Sequence, residues 1–246
     1  MTQTLVESTT DRIAPLIVPM PCIEDAGVRF AFPEVDEPKA SCNGDDGPRL
    51  AWPESERPQT AHAVAELAQS IRWRLPGDRP SVLAVTSPND ADGKTSLVIE
   101  LARELAQRTP GGLLVVDADA RGRGLIARLA EANVTTTAPP ETLSDNRGLV
   151  WPTTVPGLSV LSTSATPQPD CPWHNDAWIA SLRERWQLTL FDCASLEQSE
   201  TAQTLGHCDG VFVVVRLGHT SRRAVVAASQ IIPACGGRLL GCIAVA

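Results

Sequence analysis

Gly93-Lys94-Thr95 is the part of this sequence whose residue types and order can do chemistry. It closes the stretch Pro88-Asn89-Asp90-Ala91-Asp92-Gly93-Lys94-Thr95, between an apolar run from Ser81 to Thr86 and a segment of helical periodicity from Thr95 to Gln107. A triphosphate needs a turn whose backbone N–H groups point inward, a Lys that reaches the β and γ phosphates, and a hydroxyl for magnesium, all at a helix N-terminus. Gly93, Lys94 and Thr95 fill the last three positions of that pattern. Asp90, Ala91, Asp92, Gly93, Lys94, Thr95 and Ser96 are therefore the candidate contacts for ATP. In the general pattern GxxxxGK[ST] the first position is Gly, whereas here it is Pro88.

A metal-bound triphosphate also needs carboxylates at strand ends near the loop. The apolar run Leu113 to Val116 leads into Asp117-Ala118-Asp119-Ala120-Arg121, and the run Leu188 to Phe191 leads into Asp192. Ligands of open α/β sheets bind at the carboxyl ends of strands, which is where both clusters fall. The expected roles are Thr95, Asp117 and Asp192 for Mg2+ and its waters, Lys94 for the transferred charge, Asp119 as base or water-orienting group, and Arg121 for phosphate or an acid partner.

The elements that must carry these residues alternate. Strands are expected at 81–86, 113–116, 158–162, 188–191, 211–215 and 239–244, and helices at 60–73, 95–107, 121–132, 176–185 and 221–232, with 135–156 a Thr- and Pro-rich loop. Alternation of this kind implies an α/β fold, a mostly parallel sheet flanked by helices. Residues 1–59 are rich in Pro, Asp, Glu and Ser and are expected to be disordered or loosely packed, ahead of an ATPase domain at 60–246; short islands such as Ile13 to Met20 are candidates to dock on the domain or on a partner.

Composition narrows the function classes. A net charge of -8 without a basic stripe argues against a nucleic-acid grip. No apolar run approaches the roughly 18 residues of a membrane span, and the polar N-terminus does not read as a secretory signal, so a cytoplasmic protein is expected. The seven Cys residues show no zinc spacing and read as reduced thiols; His62, His174, His207 and His219 are scattered without ligand spacing and read as surface or partner contacts. Trp151, Trp173, Trp178 and Trp186 read as a packing layer.

Taken together, these residues resemble the bacterial tyrosine kinases (BY-kinases), P-loop ATPase modules of capsular and exopolysaccharide biosynthesis within the larger MinD-like (SIMIBI-like) P-loop group. The similarity runs from about Thr60 to Ala246. Val82 to Ser96, VLAVTSPNDADGKTS, is similar to the family's first strand and Walker A loop, and Leu114 to Arg121, LVVDADAR, to its second motif of apolar residues followed by DxDxR. Leu188 to Asp192 resembles the Walker B strand, and the helix with Glu66, Gln69 and Arg72 resembles the Glu-x2-Arg-x2-Arg assembly motif, with Gln69 in place of its middle Arg.

The resemblance implies ATP and Mg2+ as cofactors, a membrane polysaccharide co-polymerase or adaptor as partner, peripheral association with the inner membrane through it, and homo-oligomers built on the Glu66–Arg72 helix. Three departures stand out. The Walker B strand continues Cys193-Ala194-Ser195 where the family has Thr-Pro-Pro, Val245 stands where an adenine-holding Asn is expected, and the sequence contains no Tyr, so a tyrosine acceptor would lie on another protein. The expected function is an ATP-dependent phosphotransferase or ATPase. Alternatives are a nucleotide-binding regulator with little turnover and, third, a MinD-like positioning ATPase, although no signature Lys lies between Pro88 and Asp92.

Overall fold

The computed structural model describes residues 17–18, 52–53, 58–76, 79–119, 124–131, 141–142, 149–162 and 175–245. Among the described residues nine strands form one sheet: β1 (Ile17–Val18), β2 (Ser81–Thr86), β3 (Leu113–Ala118), β4 (Glu141–Thr142), β5 (Leu149–Pro152), β6 (Leu158–Ser162), β7 (Leu188–Cys193), β8 (Gly210–Arg216) and β9 (Leu239–Val245). Their spatial order is β1-β9-β8-β2-β7-β3-β6-β5-β4. The six strands from β9 through β6 are parallel, while β1, β5 and β4 pair antiparallel at the two edges.

The parallel strands are apolar almost without interruption because both faces are covered. Alternate residues of β2 serve opposite layers. Leu83 and Val85 pack with α1 (Pro58–Arg74) and α2 (Lys94–Ala106), and Val82 and Ala84 with residues of α4 (Asp176–Arg185) and α6 (Arg222–Ala234). α2 buries Leu97, Val98, Leu101, Ala102 and Leu105, a stripe at helical spacing that fixes its first turn over the end of β2. Trp178 sets its edge on Phe191 at 6.1 Å, so Trp178 and Trp186 are core residues, whereas Trp173 lies outside the described residues.

Departures from the sequence reading have local causes. The expected loop at 135–156 contains β4 and β5, because Leu149-Val150-Trp151 is a short run that only pairing with β6 makes a strand. The helix expected at 121–132 is described as α3 (Leu125–Glu131). A further helix, α5 (Ser199–Leu205), was hidden by its polarity; it buries Thr201, Thr204 and Leu205. In the N-terminal segment, Ile17 pairs with Ile243 and Val18 with Cys242, covering part of the β9 edge. Trp52 is buried, its indole N–H donating to the Ile99 carbonyl at 3.0 Å and its backbone N–H to Thr154 Oγ1 at 2.9 Å.

Candidate functional site

The loop between β2 and α2 is made to leave donors unsatisfied. Gly93, at the head of α2, has φ 87°, a left-handed conformation that glycine adopts at little cost, and no side chain caps the helix. The first-turn N–H groups of an uncapped helix are orphaned and carry the positive end of its dipole, so they favour an anion. Lys94, the first residue of the helix, is nearly buried; Thr95 is half-buried and Ser96 exposed. Ala91 is also left-handed, with φ 62°. The geometry of a phosphate loop is thus present although Pro88 replaces the usual first glycine.

Two neighbouring strands bring the acids to it. Asp117 on β3 is the register partner of Asp192 on β7, and Asp192 is level with Val85 on β2. Asp117, Asp119 and Asp192 are all buried. Asp117 Oδ2 accepts the Ile126 N–H at 2.8 Å and Oδ1 the Asp119 N–H at 3.3 Å; a Cβ on Gly124 would lie 2.1 Å from Oδ1, so only glycine lets the chain pass there. Burial raises the Asp117 pKa above the usual carboxylate range despite those two N–H groups.

Asp192 differs. Both its oxygens are buried without a hydrogen-bond partner, and its pKa is pushed up to about 7, first by burial and then by the nearby Asp117 charge. The Thr95 hydroxyl and the Lys94 ammonium pull in the opposite direction; Thr95 lies close enough to favour the carboxylate without completing a hydrogen bond of good geometry. A buried carboxylate with both oxygens unpaired beside a cation and a hydroxyl fits a site for Mg2+ or its waters. No group of three or more His, Cys, Asp or Glu among the described residues is arranged as a metal cage. Magnesium does not require one, since it keeps several waters and takes phosphate oxygens as ligands.

Of the expected contacts, the Ser96 hydroxyl accepts from Arg128 at 3.1 Å, and the Asp92 side chain turns elsewhere. Its carboxylate is bound by Asn89, His219 and Thr220, so any contribution of Asp92 to a ligand comes from its backbone. Asp90 is half-buried, and Ala91 is exposed at the crest of the loop. Arg121 lies outside the described residues. His219 is exposed, as expected of a surface contact, and also faces Asp92; sequence reasoning missed Gly124, whose need appears only when Asp117 folds against it. Cys193 and Cys208 are buried free thiols whose pKa values are raised by burial, consistent with packing rather than reactivity.

No protein-family model matches the sequence. The tyrosine-protein kinase CpsD of Streptococcus pneumoniae is 26% identical over 178 residues, covering 69% of this chain and 78% of that protein. Among solved structures, the kinase domain of the Escherichia coli tyrosine kinase ETK superposes with a TM-score of 0.63 at 20% identity, covering 79% of this chain and 88% of that one. This chain is similar to the bacterial tyrosine kinases. The BceF tyrosine kinase domain gives a TM-score of 0.62 at 23% identity over 79% of this chain and 81% of its own. The fold of this chain is accordingly that of a P-loop NTPase, with the GKT loop, the DxD strand end and Asp192 at one end of the parallel sheet. No described helix is long and apolar enough to cross a membrane.

Proposed function

We propose that this chain binds ATP with Mg2+ and acts as a BY-kinase-like P-loop ATPase or phosphotransferase module of polysaccharide biosynthesis and export. The observation that carries the reading is Asp192, whose two unpartnered buried oxygens lie beside Thr95 and Lys94 at the start of an uncapped helix. Bound Mg2+ would neutralise charge developing on the transferring phosphoryl group. Thr95, Asp192 and Asp117 would hold the ion or its waters. Lys94 would reach the β and γ phosphates, the α2 N–H groups would receive their oxygens, and Asp119 would orient the attacking hydroxyl or water. None of the 246 residues is Tyr, so the acceptor would be water or a hydroxyl other than a tyrosine of these residues.

The likeness to CpsD and ETK supports a cytoplasmic role beside a membrane co-polymerase or adaptor, with self-association through the α1 face that carries Glu66 and Gln69. Both residues are exposed on that helix, Arg72 is half-buried beside them, and Trp73 is 72% exposed. A nucleotide-binding regulator is the second reading. It is favoured by Val245, whose Cγ2 lies 3.4 Å from where a Gly93 Cβ would be, an apolar methyl against the phosphate loop where the family's Asn is expected.

Calorimetry of Mg2+-dependent ATP binding, with phosphate release measured on the same sample, tests the proposal. Micromolar binding with turnover lost in Asp119→Asn is the expected result. Binding without turnover selects the regulator. A wild type that binds no ATP, or a Lys94→Met variant that binds as well as wild type, overturns the assigned loop.

A further inference from the structure

Asp92 is a fully buried carboxylate that the chemistry above leaves unused. Each of its oxygens is engaged. Oδ2 accepts the Asn89 backbone N–H at 3.1 Å and faces the Asn89 amide at 3.4 Å, both within the loop. Oδ1 accepts the Thr220 hydroxyl at 2.8 Å and lies 3.1 Å from His219 Nδ1, both on the turn between β8 and α6. The Thr220 hydroxyl gives its one hydrogen to the carboxylate, which can only accept, while its oxygen accepts the Arg216 N–H at 2.8 Å.

The turn touches the loop region at two more points. Arg216 Nη1 donates to the Ala91 carbonyl at 3.4 Å, and the Leu217 N–H donates to the Val245 carbonyl at 2.7 Å, which places Val245 against Gly93. Asp92 lies between Ala91 and Gly93, both in the left-handed region. A non-glycine residue holds that conformation only when its surroundings over-determine it. Pro88 supplies no N-terminal glycine hinge to the loop; the Ser87 hydroxyl donates to the Asn89 carbonyl at 2.6 Å, and the ties from Asp92 add the side-chain bracing of residues 89–93 from the β8–α6 turn, the backbone that would cradle phosphate.

We propose that Asp92 is a positioning residue that holds the phosphate loop in its binding form by stapling it to the β8–α6 turn through Thr220 and His219. The inference rests on the nucleotide-binding reading of the same loop. The staple lies outside the core that supports β2 and α2, so cutting it loosens the cradle while the fold remains. The cost then falls on phosphate contacts and is shared by any ligand that offers a polyphosphate.

The test is titration of the full chain with Mg2+-ATP and, separately, with tripolyphosphate, alongside the melting temperature of each unliganded variant. Thr220→Val is expected to weaken both ligands about fivefold and Asp92→Asn about tenfold, the latter equal to about 1.4 kcal/mol. Thr220→Ser, which keeps the hydroxyl, restores wild-type affinity, and the double variant Asp92→Asn/Thr220→Val is no weaker than Asp92→Asn alone. Should Asp92→Asn fail to fold, Thr220→Val and Thr220→Ser decide the matter by themselves. Wild-type affinity in a folded Thr220→Val, loss for ATP without loss for tripolyphosphate, or losses that multiply in the double variant would each overturn the staple. If wild type binds ATP and the variants match it, only the staple falls; if wild type binds neither ligand, the nucleotide reading falls with it.

Discussion

The two flanks of the phosphate loop hold equally buried carboxylates in opposite circumstances. On the β8 side, Asp92 is fully buried and each of its oxygens has partners. On the β7 side, Asp192 is as deeply buried and has no hydrogen-bond partner at either oxygen. A buried polar group left unpaired costs free energy, so the first arrangement is that of a brace, and the second is the one whose chemistry fits the proposed cation or its waters. Burial alone does not separate the two; what each oxygen faces does.

The largest expected effect is on the unpaired side. Asp192→Ala should weaken Mg2+-dependent ATP binding at pH 8 by about 100-fold, the upper range for losing a group that supports a metal site, while ATP binding in EDTA changes far less. Equal losses with and without Mg2+, read by calorimetry, would show that Asp192 serves the fold instead of the ion.

The same residue should trade stability for that role. Its pKa is near 7 in the folded chain against an ordinary value of 3.8, so between these limits the folded state holds more protons than the unfolded one. The stability contributed by protonated Asp192 is therefore fully present below about pH 4 and is lost as pH rises through 7. Asp192→Asn should stabilise the ligand-free protein at pH 8 by a few kcal/mol, raising Tm by about 5 °C, with the gain fading toward pH 4. Mg2+-ATP affinity of wild type should move the other way, rising through pH 7 as the carboxylate ionises. A pH-independent difference in Tm between the two proteins would break the comparison.

A smaller effect is expected where the strand end is braced by close packing. In Gly124→Ala the new methyl would fall on Asp117 Oδ1, 2.1 Å away. Overpacking of this kind costs about 2 kcal/mol, measurable as a lower urea midpoint at unchanged slope. An unaltered midpoint would mean that the chain before α3 yields freely, and that Asp117 is held less firmly than its two N–H bonds indicate.

Much of the fold was legible in the sequence because it is written in local patterns. The apolar runs 81–86, 113–116 and 188–191 became β2, β3 and β7, since strands covered on both faces must be continuously apolar. The stripe from Leu97 to Leu105 became α2 for the same kind of reason. The elements that were missed are those whose stability is borrowed. β5 exists through its pairing with β6, and α5 presents a polar sequence of which only a few side chains are buried, whereas β1, which pairs with β9, falls in the Ile13–Met20 island expected to dock on the domain or on a partner.

By itself the sequence determined the chemistry on offer: a Lys and a Thr at the mouth of a helix, and carboxylates at two strand ends. Spacing within one segment suffices for that. Only the tertiary structure decided which carboxylates face which partners. Asp92 and Thr220 are 128 positions apart, and Asp117 and Asp192 meet only because β3 and β7 are neighbours in the sheet. The state of a buried charge depends on everything packed around it, and in a parallel sheet those neighbours come from distant parts of the chain.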